Sequence, residues 1–213
     1  SFCTDKIMST GGEGGMLLFH DEAAWRRAWS FKDHGKAWDA VYEREHPPGF
    51  RWLHESFGTN WRLTEMQSAI GRVQLGKLAG WVEQRRRNAA VLHERLGALD
   101  ALRVPAPPED VGHAYYKFYA FVRPERLAAG WDRDAIMQAV QAEGAPCMQG
   151  ICPEIYRERA FVDAGLAPAE RLRVARELGE TSLMFPVHPT LSPEDMNRIA
   201  DAAEDVLERA SDA

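Results

Sequence analysis

The feature that most constrains the fold of this chain is one long helical pattern that begins at Thr64. Thr64 and Gln67 have the spacing of a capping box, in which a hydroxyl and an amide each satisfy a free backbone N–H group. Apolar residues then recur near the helical period as far as Leu99. A helix of about 35 residues would span about 50 Å, which is more than one small domain can bury. We therefore expect it to bridge two domains or to line a subunit interface.

Three glycines interrupt this pattern, at positions 71, 76 and 80. Each costs a helix roughly 1 kcal/mol relative to alanine. Glycines at these positions indicate either that another backbone packs closely against the helix or that the helix breaks there.

The segment before the long helix has weaker patterns. Residues 15–19 follow a glycine turn and predict a buried strand. Asp21 is placed to cap a helix that runs to Ser30. Residues 32–51 have scattered aromatic residues without a sustained period, so we expect a long surface excursion.

Residues 105–108, which are rich in proline, indicate a linker into a second domain. The patterns that follow alternate between strand and helix and suit a small α+β domain. Strands are predicted at 113–122, 146–149 and 182–185, and helices at 132–143, at 166–178 and after the Ser192-Pro193 cap.

Composition excludes several classes of protein. The net charge of -6 argues against a general binder of nucleic acid, and we interpret the short run Arg85–Arg87 as the solvated face of a helix. No apolar stretch approaches the roughly 20 residues of a membrane span, so we expect no membrane partner. The cysteines, Cys3, Cys147 and Cys152, are odd in number and have no His/Cys companion pair, which favours free thiols in the cytoplasm and no metal site.

The first fifteen residues pair a lysine with a glycine-rich turn. Lys6 is followed by four glycines around Glu13. A lysine amine becomes a good nucleophile when its surroundings lower its pKa, and glycines let a backbone approach a bound group closely. By itself, the segment is compatible with a covalent site for a carbonyl group and equally with a solvated lysine beside an ordinary turn.

Three blocks of this sequence resemble the DegT/DnrJ/EryC1/StrS family of nucleotide-sugar aminotransferases, and they occur in the family's order. The first joins Ser1, Phe2 and Lys6 to Gly12-Glu-Gly-Gly15 and is similar to the family's Schiff-base segment. The second runs from Gly58 to Leu75, and the third from Glu180 to Ser192. The chain begins inside the first block and shows no signal-peptide pattern, and the family's lysine lies near mid-chain, so we expect a fragment of a longer protein.

The resemblance implies the α/β to α+β fold of the C-terminal portion of a fold-type I transferase that uses pyridoxal 5'-phosphate (PLP). Residues 1–62 would then be the end of the large cofactor-binding domain, residues 63–104 a linking or interface helix with its linker, and residues 105–213 the small domain. The implied reaction moves an amino group, with glutamate as the expected donor, to a nucleotide-linked keto sugar in the synthesis of polysaccharides or antibiotics. A homodimer with shared active sites is also implied.

The same resemblance assigns roles to particular residues. Lys6 would form the internal aldimine with the cofactor and then serve as the acid and base of the proton shift. Ser1 matches the family's phosphate-binding serine, and Asn60 an asparagine that reaches the phosphate from the partner subunit. Arg62 would help to hold an anionic group of the substrate, or would equally be a structural partner for a carboxylate such as Glu65. The candidate contacts for the sugar are His34, His113 and His188.

Two alternatives remain at this point. The family includes PLP-dependent sugar dehydratases, but these carry histidine where this chain has Lys6, which favours transamination. A cofactor-free module for dimerisation or sugar binding is the alternative from another class. The segment Cys147–Tyr156 replaces the family's usual sugar-contact segment, so the identity of the sugar stays open.

Overall fold

The computed structural model describes residues 1–211. Its chain contacts divide it into two compact units, with the boundary after Leu78. That boundary falls within the long helix α3, Glu65–Leu96. None of the helices in residues 1–211 combines the length and the apolar character needed to cross a membrane.

The first unit contains helix α1, Glu22–Lys32, and helix α2, Trp38–Tyr42. The prediction that Asp21 caps α1 is confirmed, because its carboxylate accepts hydrogen bonds from the backbone N–H groups of Ala23 and Ala24.

The surface excursion predicted at residues 32–51 is partly helical, because it contains α2. The ring of Trp38 in α2 lies 4.7 Å from that of Trp25 and 5.0 Å from that of Trp29, so aromatic packing gives this segment a local core that its sequence period does not show.

The strand predicted at residues 15–19 is wrong. Met16, Leu17 and Leu18 are 66%, 74% and 87% exposed, and the segment pairs with no strand in the described part of the chain. A strand needs a neighbour for its backbone hydrogen bonds. The apolar run is therefore an exposed extended segment here.

The capping box predicted at the start of α3 is confirmed. The backbone N–H of Gln67 donates to Thr64 Oγ1 over 3.3 Å, and the backbone N–H of Thr64 donates to Gln67 Oε1 over 3.2 Å. The apolar stripe of α3 is buried only in its second half: Leu92 is fully buried, whereas Met66 is 78% exposed. The helix ends at Leu96, before the predicted Leu99.

The second unit is built on a four-stranded antiparallel sheet with the order β1-β2-β4-β3. Its strands are β1, Leu102–Arg103; β2, Phe118–Val122; β3, Met148–Gln149; and β4, Ser182–Phe185. In the central pair, Phe118 lies opposite Phe185 and Ala120 opposite Leu183. These four side chains are essentially fully buried and form the sheet side of the core.

Helices supply the other side of that core. The helices of the second unit besides α3 are α4, Arg133–Ala142; α5, Arg159–Asp163; α6, Arg173–Thr181; and α7, Pro193–Ala210. The predicted cap of α7 is confirmed, since Ser192 and Asp195 form a complete capping box. Ile136 of α4 and Ile199 of α7 are buried among the strand residues in one cluster.

Two predicted elements of this unit differ from the structure. The strand expected from His113 begins only at Phe118, because Tyr115 adopts a φ of 45° that no strand accommodates. The helix expected at 166–178 begins only at Arg173, as α6, and a loop precedes it; the short helix α5 before that loop was not predicted.

That loop is held by Glu154. Its buried carboxylate accepts hydrogen bonds from Arg171 Nε over 2.9 Å and from the Tyr156 hydroxyl. The hydrogen bond from Arg171, and next that from Tyr156, lower the pKa of Glu154 to about 2. Arg171 also contacts Glu180 in α6, so the network fastens the loop to that helix.

Glu154→Gln is expected to destabilise the protein at neutral pH and to lose this effect in acid. The folded-state pKa of Glu154 lies below its unfolded value, so its stabilisation is present above about pH 4.5 and is lost as the pH falls towards about 2. Urea unfolding at several pH values should therefore show the wild-type and variant midpoints converging as the pH falls. Glu170→Gln, a change at an exposed carboxylate, is the control and should shift the midpoint little at any pH. A gap between wild type and Glu154→Gln that stays constant down to pH 3 would contradict this assignment.

Candidate functional site

The segment that carries Lys6 is a closed loop. The backbone N–H of Phe2 donates to the carbonyl of Gly14 over 2.7 Å, and that of Thr10 donates to the carbonyl of Phe2 over 3.0 Å. These bonds bring the two ends of the loop together and place Lys6 between them in the chain. The side chain of Lys6 is 35% exposed, and its Nζ lies 3.4 Å from Asp5 Oδ1.

The glycine turn fixes this loop to the start of α3. Gln67 Nε2 donates to the carbonyl of Glu13 over 2.6 Å. Gly11 has a φ of 79°, and a Cβ atom there would lie 2.9 Å from Ile70 Cδ1.

Gly71 of α3 is buried, and a Cβ atom there would lie 3.0 Å from Thr10 Cγ2. The expectation that another backbone packs against these glycines, or that the helix breaks there, is wrong. The nearest atom at Gly71 belongs to a side chain, a Cβ atom at Gly76 or Gly80 would meet nothing within 4 Å in the described residues, and α3 runs through all three positions.

A second loop carries Asn60 and Arg62. Asp33 pairs with Asn60, and Lys36 with His54, in isolated antiparallel bridges. The backbone N–H of His34 donates to the carbonyl of Thr59 over 2.8 Å. The two arms approach so closely at Gly35 that a Cβ atom there would lie 1.8 Å from the carbonyl oxygen of Ser56. The sequence can form this loop because glycine stands at that contact.

The structure brings Asn60, Arg62 and His34 together on this loop. Arg62 Nε donates to Asn60 Oδ1 over 2.9 Å, and Arg62 Nη2 lies 3.3 Å from His34 Nε2. All three residues are exposed. The arrangement presents a fixed guanidinium group beside an amide, which are donors suited to a phosphate or a carboxylate.

Asp33 is the buried acidic residue beneath this group. Burial raises its pKa, but the hydrogen bond from Lys36 and the charges of Lys36, Lys32 and Arg62 outweigh burial and hold the pKa below its usual value. Arg62 Nη1 lies 3.6 Å from Asp33 Oδ1. The carboxylate therefore stays ionised and helps to orient Arg62.

His113 and His188 belong to the second unit, whereas Ser1, Lys6, Asn60 and Arg62 belong to the first. Arg86 Nε donates to the carbonyl of His113 over 2.9 Å, and Asn88 Nδ2 donates to that of His188 over 2.9 Å. Burial, followed by the positive charges of Arg85 and Lys117, lowers the pKa of His188. Both histidines are therefore carried by loops that are attached to α3.

Three residues that organise these loops were not predicted from the sequence: Asp33, Gln67 in its contact with Glu13, and Arg85. The interpretation of Arg85 as part of a solvated face is wrong, because Arg85 is only 4% exposed. Arg85 is separated from Asn88, Leu92 and Leu96 by steps of three or four residues, and these residues are also buried. This helical spacing would have predicted that Arg85 lies on the buried face of α3. Within residues 1–211, no group of three or more His, Cys, Asp or Glu side chains is placed to hold a metal ion.

Comparison with known proteins gives relatives that are named as sugar aminotransferases. The UDP-N-acetyl-3-dehydro-alpha-D-glucosamine 3-aminotransferase of Acidithiobacillus ferrooxidans is 30% identical over 200 residues, which cover 94% of this chain and 48% of that protein. The dTDP-3-amino-3,4,6-trideoxy-alpha-D-glucose transaminase of Streptomyces venezuelae is 28% identical and is covered over 51% of its length. The chain thus spans about half the length of these curated relatives.

A solved structure shows the same relationship in three dimensions. The aminotransferase from Psychrobacter cryohalolentis superposes with a TM-score of 0.92 at 47% identity, over 98% of this chain and 55% of that one. The expected fold class is confirmed: the chain has the fold of about half of a fold-type I aminotransferase. The sequence pattern of one family matches residues 1–204. The chain belongs to the DegT/DnrJ/EryC1/StrS aminotransferase family.

Proposed function

We propose that the protein is a PLP-dependent aminotransferase that transfers an amino group to a nucleotide-linked keto sugar. Relatives with this type of activity support the proposal. The observation that carries it is the position of Lys6 on a closed loop that Gln67 fastens to α3. A reactive lysine must be held in place by its surroundings, and this loop provides that support.

The residues of the loop fit the proposed cofactor. The Lys6 side chain is partly exposed, so a carbonyl group can reach its amine once the amine has lost its proton to solvent. Lys6 would hold the cofactor through its amine, and the exposed Ser1 hydroxyl would donate to the phosphate. When bound, PLP supplies an aldehyde for the amino group and a ring that stabilises negative charge on the reacting carbon. The freed Lys6 Nζ would then hold the proton that moves between carbon atoms of the substrate.

Asn60 and Arg62 would act from the partner subunit of a homodimer. Their side chains are exposed, hydrogen bonded to each other and supported by Asp33. Asn60 would donate to the cofactor phosphate, and Arg62 would bind an anionic group of the substrate. His113 and His188 are the proposed sugar contacts.

Glutamate is the proposed amino donor, and the cytoplasm the proposed location, in which the free Cys3, Cys147 and Cys152 would stay reduced. The dehydratase alternative is disfavoured because position 6 is lysine. The cofactor-free module is distinguished by the following experiment.

Borohydride reduction of the full-length protein with PLP is expected to leave a stable adduct on Lys6. Reduction converts the lysine–cofactor bond to a secondary amine that survives proteolysis, so peptide mass mapping identifies the lysine. Lys6→Ala should lose the adduct, while Lys77→Ala, a change at an exposed lysine of α3, should keep it. A folded protein whose Lys6 carries no adduct would contradict the proposal and favour the cofactor-free module.

A further inference from the structure

Arg85 is a buried cation that has no counter-ion among residues 1–211. Its side chain is 4% exposed, and burial lowers the pKa of its guanidinium group. Nη1 donates to the carbonyls of Tyr115 and Tyr116 over 3.2 and 3.1 Å. Nε is buried with no hydrogen-bond partner, and within residues 1–211 no carboxylate forms an ion pair with Arg85. A buried charge is unfavourable unless it is paired, so this arrangement needs an explanation.

Attachment of the neighbouring loop does not explain the charge. Asn88 lies one turn further along α3 and attaches the loop of His188 in the same way, by donating to its carbonyl over 2.9 Å. Its neutral amide does so without placing a charge in the interior. A neutral donor would therefore suffice at position 85 as well, and the positive charge of Arg85 requires a different role.

Two more basic side chains lie beside Arg85. Lys117 follows the two carbonyls that Arg85 binds, and its Nζ lies 5.2 Å from the ring centre of Tyr116. His188 lies on the loop that Asn88, one turn along α3 from Arg85, holds by donating to the His188 carbonyl over 2.9 Å, and the charges of Arg85 and Lys117 act on its ring. Its Nδ1 lies 2.8 Å from the Thr190 hydroxyl and accepts from the backbone N–H of Thr190 over 3.5 Å, so the ring proton is available on Nε2 as a donor. Neither Lys117 nor His188 forms an ion pair in the part of the chain that the structure describes.

We propose that Arg85, Lys117 and His188 form a binding site for the oxyanion of a small molecule, either a carboxylate or a phosphate. Arg85 supplies a fixed charge from beneath the surface, and Lys117 Nζ and His188 Nε2 supply the contacts. A bound anion would supply the negative charge that Arg85 lacks among the described residues. All the contacts that support this site lie within the second unit. The choice of glutamate and UDP as probes rests on the proposed function.

Calorimetric titration of the full-length protein with glutamate, with UDP and with inorganic phosphate, each alone, tests this site. At least one probe should bind, and Lys117→Gln should weaken it by about tenfold, which is the loss of one charge-assisted hydrogen bond. Arg85→Gln, which keeps a donor for the carbonyls and removes the charge, should weaken it at least as much. The control Lys77→Gln should leave the dissociation constant unchanged. Preference for glutamate would identify a carboxylate site, and preference for UDP and phosphate a phosphate site.

The proposal is overturned if no probe binds the wild-type protein, or if the dissociation constants of the Lys117 and His188 variants match that of wild type. Should Arg85→Gln fail to fold, Lys117→Gln and His188→Gln still decide the question, since both side chains are at least partly exposed. If the proposed function is wrong, the Lys6 adduct will be absent from the borohydride experiment. The dissociation constants from calorimetry can still be interpreted in that case, because they do not depend on the adduct.

Discussion

Lys6→Arg is expected to lower the rate of amino-group transfer on the order of 10³-fold or more, because one group supplies both the covalent link and the proton transfer. Arginine keeps the charge, and its side chain is slightly longer than that of lysine. Its guanidinium group stays protonated in proteins and cannot form the bond with a carbonyl group. The measurement is the release of 2-oxoglutarate from glutamate by the PLP-loaded protein.

Lys77→Arg is the matched control, because it makes the same substitution at an exposed position of α3. It should retain wild-type activity. The circular dichroism and thermal midpoint of Lys6→Arg should also match wild type, since Lys6 is partly exposed and arginine can keep the ion pair with the exposed Asp5. Activity of Lys6→Arg within tenfold of wild type would show that another residue carries the chemistry.

Local signals predicted the starts of three helices. Asp21, Thr64 and Ser192 each cap a helix as their sequences indicate, and the caps involve hydrogen bonds between residues at most three apart. Such interactions involve only a short stretch of sequence and depend little on the rest of the fold.

Elements that depend on distant partners were predicted less well. The apolar run 15–19 has the composition of a strand, but a strand forms only where a neighbour accepts its hydrogen bonds. The loop of Asn60 depends on bridges between residues about 20 or more apart, such as Asp33 to Asn60. The sequence of this loop has no regular hydrophobic period, because the loop is held by close contacts between backbone atoms and by pairs of aromatic rings.

The candidate site was predicted unevenly for the same reason. Family motifs identified Lys6, Asn60 and Arg62 as candidates, and the structure joins the last two through a hydrogen bond. The motifs did not identify Asp33, which orients Arg62, or Gln67, which holds the glycine turn. Supporting residues of this kind act on backbone atoms or on other side chains, so their role becomes visible only with the contacts.

Gly35→Ala is expected to destabilise the first unit by roughly 3–5 kcal/mol, the range of a severe backbone conflict. Gly35 has a φ of 83°, and its added Cβ atom would lie 1.8 Å from the carbonyl oxygen of Ser56. The same contact carries two hydrogen bonds, from the backbone N–H groups of Glu55 and Ser56 to the carbonyl of Gly35. The substitution must therefore separate the two arms of the loop and displace Asn60 and Arg62.

Gly49→Ala is the control that separates this contact from the cost of the backbone conformation. Gly49 also has a positive φ, 113°, but a Cβ atom there would meet nothing within 4 Å. We expect it to cost about 1–2 kcal/mol, and urea unfolding of both variants measures the difference. If Gly35→Ala costs no more than Gly49→Ala, the close approach of the arms is not what holds the loop. If the expected gap appears, Gly35→Ala should also weaken binding of PLP to the full-length protein, because the proposed phosphate contact from Asn60 depends on the same loop.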